Sequence, residues 1–204
     1  MTVILPRLKE VLKASPTDQT PAAGEKVLKN GDIIARPFYN VISIFYLEDA
    51  GEYYTYMENP RLRELHLDAD ALHHRALRDL EHFVERRLRV QSITNDVTMF
   101  VGCEGFESSL VLLPHVLRAN GFIDSIHAFA MPTRDTFVYG SKFSSETIDT
   151  IRRACGVAYT SALPSYRVSQ SVFVFDRNRK SGLRVVGGLP DFVATHAATF
   201  FGRP

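Results

Sequence analysis

At 204 residues, 45% of them hydrophobic and 23% charged, the chain has the composition of an ordinary globular protein and is long enough to bury a core, which excludes collagen-like, coiled-coil and wholly disordered classes. A formal charge of +1 gives no long-range field to gather nucleic acid or anionic lipid, and no apolar run reaches the roughly 18 residues of a membrane-spanning helix. The two cysteines, Cys103 and Cys155, match neither a C-x-x-C pair nor a zinc spacing and are expected as free thiols. With an N-terminus that lacks a basic-then-apolar secretion signal, they point to a reducing cytoplasm.

Leu5, Leu8, Val11 and Leu12 recur at helical spacing and predict a short N-terminal helix. Ala14 to Gly24 is dense in turn formers and reads as a flexible loop, and Lys29-Asn30-Gly31-Asp32 as a turn. Val41 to Leu47 and Tyr53 to Met57 read as strands joined through Glu48 to Gly51 in a hairpin, and Phe45, Tyr46, Tyr53, Tyr54 and Tyr56 suit a pleated surface. Asn59-Pro60 opens a turn or a first helical segment. The longest helix is predicted from about Asp68 to Arg87, because Ala69, Leu72, Ala76, Leu77, Leu80, Phe83 and Val84 fall on one face. Asp68 or Asp70 suits its start and Arg86-Arg87 its end.

Val97 to Val101 reads as a strand, and Glu107 to Ala119 as a second helix closed by Asn120-Gly121. Pro114 conflicts with that helix, which is therefore kinked or made of two shorter pieces. Ser125 to Ala130 and Thr136 to Tyr139 are strands around a tight Thr133-Arg134-Asp135 connection, and Ser144 caps a third helix reaching about Cys155. Ser171 to Phe175 and Leu183 to Val186 read as a second hairpin turning at Asp176 to Gly182. This order predicts an α+β (mixed α/β) fold. It is expected as a single domain over residues 1–204, with one mostly antiparallel or mixed sheet carrying three or four helices.

Three stretches carry a resemblance. Glu64-Leu65-His66 leads into Ala71-Leu72-His73 and Arg75-Ala76-Leu77-Arg78-Asp79-Leu80; Phe106-Glu107-Ser108-Ser109-Leu110-Val111-Leu112-Leu113 follows; Ala130-Met131-Pro132-Thr133-Arg134-Asp135-Thr136-Phe137 is the most specific. Together they resemble a family of bacterial proteins of unassigned function, the YtpQ-like group or domain of unknown function 1444, over roughly Glu64 to Tyr139. Asp79 stands where that family usually has asparagine, and Ser108 where it usually has alanine. The resemblance implies a shared fold and supplies no catalytic residues.

Candidate chemistry is sparse. Arg134 and Asp135 sit on a turn between two strands, where a guanidinium could grip a carboxylate or phosphate while the carboxylate orients it. The structural reading is an Asx-type bond from Asp135 and a bridge from Arg134 to a nearby acid. Glu104 and Glu107 flank Gly105-Phe106 at a strand-to-helix junction, where Glu107, Ser108 and Ser109 either help hold an anion or only cap the helix. His66, His73 and His74 lie near Asp68 and Asp70 but on different helix faces, so no metal is predicted; His73 is expected buried and hydrogen-bonded, His74 solvated. Arg86-Arg87-Leu88-Arg89 and Arg177-Asn178-Arg179-Lys180 read as a solvated helix end and a solvated turn. No G-x-S-x-G elbow, Walker pattern or cofactor motif occurs. The expectation is a non-catalytic protein-interaction module using a sheet face, hairpin or turn, with Tyr53, Tyr54, Arg134, Asp135, Glu104 and Glu107 as binding candidates. A toxin-neutralising immunity protein is one form of it. The alternative is a hydrolase or phosphoryl-handling enzyme centred on Arg134, Asp135, Glu104 and Glu107.

Overall fold

The computed structural model describes residues 2–10, 33–39, 42–120, 127–175 and 183–188. The expected loop at 14–24 and the turns at 29–32 and 176–182, with the basic cluster in the last, lie outside the described residues. The class is α+β and every strand pairing is antiparallel, but the strands divide between a four-stranded and a six-stranded sheet where one sheet was expected. The chain separates into two compact units, residues 1–82 and 83–204.

In the first unit, β1 (Ile4–Glu10), β2 (Ala35–Tyr39) and β4 (Tyr54–Tyr56) all pair with the central β3 (Ile42–Asp49). β1 runs along one whole side of β3, from Ile4 opposite Glu48 to Glu10 opposite Ile42, while β2 and β4 share the other side. The expected N-terminal helix is thus a strand. Leu5 is buried opposite Leu47 on one face while Ile4 and Leu8 are buried with the opposite parity, so burial on both faces erases the alternation that marks a strand.

The β3–β4 hairpin forms as its sequence indicates. Asp49 accepts a hydrogen bond from the Gly51 N–H (2.8 Å), an Asx turn, and Gly51 takes a φ of 88° that favours glycine. A short helix, α1 (Asn59–Glu64), is tied to β3 by Arg61, which donates to both oxygens of Glu48 (3.0 and 2.6 Å). The long helix α2 (Ala69–Glu85) starts as expected, with Asp68 Oδ1 accepting from the Ala71 N–H (2.7 Å). Its buried stripe of Leu72, Ala76 and Leu80 belongs to the first unit, where Asp79 Oδ2 also accepts the Ile4 N–H (2.9 Å) and so satisfies the edge of β1.

The second unit holds β5 (Arg89–Ser92), β6 (Val97–Val101), β7 (His127–Thr133), β8 (Thr136–Gly140), β9 (Ser171–Phe175) and β10 (Leu183–Gly188) in the order β10-β9-β7-β8-β6-β5. β5 was not foreseen, because its four residues are all exposed and carry no alternation to read. A 3-10 helix (Glu107–Leu112) and α3 (Pro114–Ala119) replace the single predicted helix, with Pro114 starting the second piece, where its missing N–H costs nothing. The last helix, α4 (Ser145–Ser161), is capped by Ser144 Oγ, which accepts from the Thr147 N–H (3.1 Å), and runs past Cys155 through a buried Gly156.

The two faces of this sheet differ. Val97, Ala128, Ala130, Val138, Val172 and Val174 form one core with Ile151 and Cys155 of α4. On the opposite parity, Phe173, Phe129 and Phe137 stack at 5.5 Å intervals and Phe137 meets Phe100 at 5.3 Å. Among the described residues no helix is long and apolar enough to cross a membrane.

Candidate functional site

Arg134 and Asp135 form the two-residue connection between β7 and β8, closed by the pairing of Thr133 with Thr136. The connection is pinned at the backbone. The Arg134 N–H donates to the Tyr166 carbonyl (2.8 Å), and the Ser108 N–H donates to the Arg134 carbonyl (3.1 Å). Asp135 Oδ1 accepts from the hydroxyls of Thr133 and Thr136. Among the described residues Arg134 makes no acidic bridge. Its guanidinium carbon lies 3.5 Å from the centroid of the Tyr166 ring, a cation–π stack.

Glu107 is buried at the start of the 3-10 helix, where Oε1 accepts from the Cys103 N–H (2.8 Å) and Oε2 from the Gly105 N–H (3.0 Å). It thereby fastens the loop in which Gly102, Glu104 and Gly105 all have positive φ. Burial pushes its carboxyl above the ordinary 4.5; the amide donors pull it back, and the nearby Asp135 charge raises it further. Arg134, Asp135 and Glu107 are therefore neighbours. Glu104 is not part of that group: it is exposed, with Oε1 3.3 Å from Arg87 Nε, and Arg87 in turn lies over the Phe83 ring at 4.2 Å. Cys103, buried in the same loop, is pushed up to about 12 by burial and then by Glu107, and burial raises Cys155 as well, so neither thiol forms a ready nucleophile.

Tyr53 and Tyr54 belong to the first unit. Tyr53 stands 63% exposed just before β4. Tyr54 is half-buried with Arg7 5.6 Å from its ring centroid, Lys9 lies 6.0 Å from that of Tyr56, and Phe45 meets Tyr56 edge-on at 5.8 Å. Arg7, Lys9, Phe45, Tyr54 and Tyr56 share the face of the four-stranded sheet opposite Ile44 and Tyr46.

One constellation was missed. Tyr46 Oη is 3.0 Å from His73 Nδ1, and Arg36 Nη1 donates to Asp70 Oδ1 (3.0 Å) beside them. Burial raises the Tyr46 phenol, partly opposed by Arg36, whereas burial, Arg36 and His74 lower His73. His73 is hydrogen-bonded and His74 exposed, as expected, but His73 is half-buried where burial was expected. Its partner lies 27 residues away, beyond the reach of a spacing argument. Among the described residues no group of three or more His, Cys, Asp or Glu is placed to hold a metal ion.

A void of about 10 Å³ lies under α3 between Leu117, Pro114 and the aromatic face, beside the His127–Tyr139 pair (2.7 Å). It is smaller than any organic ligand. No family model, curated protein or solved structure matches the chain.

Proposed function

We propose that this chain is a non-catalytic protein-interaction module that binds an acidic surface of another protein through the tyrosine face of its four-stranded sheet. The observation that carries the reading is the composition of that face: Tyr53 stands out at the hairpin, and Arg7 and Lys9 lie over Tyr54 and Tyr56. Tyrosine is among the residues that dominate binding energy at interfaces, and stacking on Tyr56 pre-organises Lys9 for carboxylates. The candidate catalytic groups of the second unit are committed internally, Glu107 to loop amides and Asp135 to two hydroxyls. A toxin-neutralising immunity protein of the cytoplasm is one concrete form of such a module, and two buried free thiols suit a reducing compartment.

The test is affinity capture from the native cell with the wild-type chain and with Tyr53→Ala/Tyr54→Ala. The expected result is a stoichiometric partner whose affinity falls on the order of 30-fold in the variant, the effect of losing a hot spot worth about 2 kcal/mol, with the melting temperature unchanged. No partner, or equal retention by both chains, overturns the reading.

One observation favours the alternative of a hydrolase or phosphoryl-handling enzyme: Glu107, with its carboxyl held above the ordinary range, adjoins Asp135 and Arg134. Turnover of a phosphate or carboxylic ester that is abolished by Asp135→Asn would establish it.

A further inference from the structure

Among the described residues three arginines of the second unit lie against aromatic rings, and two of them also donate hydrogen bonds. Arg87, over Phe83, donates to Glu104 (3.3 Å) and to the Phe83 carbonyl (3.4 Å). Arg167, 4.9 Å from the Tyr159 centroid, donates to the carbonyls of Ala162 (3.2 Å) and Thr160 (3.4 Å). Arg134 is the exception. Its side chain makes no hydrogen bond or ion pair to any described residue, although it is the most closely stacked of the three. Its Nε is enclosed without a partner, and the enclosed unpartnered atoms among the described residues do not include its two Nη nitrogens.

We propose that Arg134 is a carboxylate-recognition site, which takes an acidic side chain or a chain terminus of a partner end-on through its two Nη groups. The proposal is independent of the tyrosine face, which belongs to the other unit. Three features make the guanidinium a built receptor and not a loose surface cation. Its backbone is clamped from both sides by Tyr166 and Ser108. Its plane is set by the Tyr166 ring, so little rotamer freedom is lost on binding. The adjacent Asp135, which would otherwise compete for it, is turned to the hydroxyls of Thr133 and Thr136. The enclosed Nε excludes a side-on grip and leaves the end-on fork.

Charge selects carboxylate over phosphate. With Asp135 the next residue in the chain and Glu107 behind the turn, a dianion would meet one cation and two nearby acids, whereas a planar monoanion matches the fork with less repulsion.

The experiment follows the arginine Nε–H resonances of the full-length ¹⁵N-labelled chain during titration with acetyl-Glu-Glu-Glu-amide, with acetyl-Gln-Gln-Gln-amide and inorganic phosphate as parallel arms. The triglutamate is expected to move the Arg134 signal saturably, the triglutamine not at all, and phosphate at least tenfold more weakly. Arg134→Lys, which keeps the charge but loses the fork, is expected to weaken triglutamate binding at least tenfold, measured by calorimetry. If Arg134→Lys does not fold, Arg134→Gln, planar and of similar length, must show the same loss. An absent or unsaturable shift, equal binding by the variants, or tighter binding of phosphate than of triglutamate overturns the assignment.

Discussion

Glu107 spends both of its oxygens on backbone amides, so the loop with positive φ at Gly102 (93°), Glu104 (51°) and Gly105 (87°) hangs from one side chain. Glu107→Gln turns one acceptor into an NH₂ group that faces an amide donor. The expected cost is about 1–3 kcal/mol, the penalty of a buried donor left unmatched, read by urea denaturation. The next residue predicts the opposite. Ser108 and Ser109 are 0% exposed, and their Oγ atoms have no hydrogen-bond partner among the described residues. Since a buried, unpartnered hydroxyl is itself unfavourable by roughly 1–3 kcal/mol, Ser108→Ala is expected to leave stability unchanged or raise it by up to about 1 kcal/mol. A clear loss in the same denaturation assay would show that the hydroxyl is bonded after all. Sequence alone treats Glu107, Ser108 and Ser109 as one capping group, because all three residue types favour helix starts. What separates them is which side chain meets the 102–106 loop, and that is decided by tertiary placement.

Elements whose signals are local were legible. The Asp68 and Ser144 caps, the hairpin turn within Glu48 to Gly51 and the proline break at Pro114 each act within four residues, and each stands where its spacing indicates. Elements defined by their neighbours were not: β1 is buried on both faces and so lost its period, and β5 is exposed on both and never had one. The packing of α4 on its sheet shows a further constraint that no pattern reveals. A Cβ on Gly140 would collide with Thr147 Cγ2 and come within 3.1 Å of Ile151 Cδ1, so the strand accepts the helix only because it presents no side chain there. Gly140→Ala is expected to cost about 1–3 kcal/mol through overpacking, with the urea midpoint lowered and the slope unchanged. Ser144→Ala removes only the cap, at about 1 kcal/mol. If Gly140→Ala proves no more harmful than Ser144→Ala, α4 does not lie as close to β8 as the structure places it.

At the scale of the whole molecule, the α+β class and the antiparallel pairing follow from hairpins that chain order makes visible. The division into two sheets does not, since β3 and β7 choose their neighbours through contacts spread over tens of residues. That division places two shifted groups in different units, and their linkage runs in opposite directions. His73, held below 6.5 by burial, Arg36 and His74 against the pull of Asp70, takes up its proton in the unfolded chain first. Its contribution to stability is therefore complete above pH 6.5 and is lost as the pH falls below that value. Protonation would also remove the acceptor that a neutral Nδ1 offers Tyr46 Oη. Glu107, held above 4.5 by burial and by Asp135 against the amides of Cys103 and Gly105, keeps its proton longer in the folded chain. Its contribution is complete below pH 4.5 and is lost as the pH rises through the folded value. Acidification from pH 7.5 to 5 is thus expected to loosen the four-stranded unit relative to the six-stranded one. Amide hydrogen exchange, corrected for intrinsic rates, checks this by comparing Ile44 and Tyr46 of β3 with Val138 and Tyr139 of β8. His73→Phe should flatten the response of the first pair alone, and Glu107→Gln that of the second alone. Parallel changes in both pairs, or responses indifferent to the two substitutions, would show that other groups govern the pH dependence.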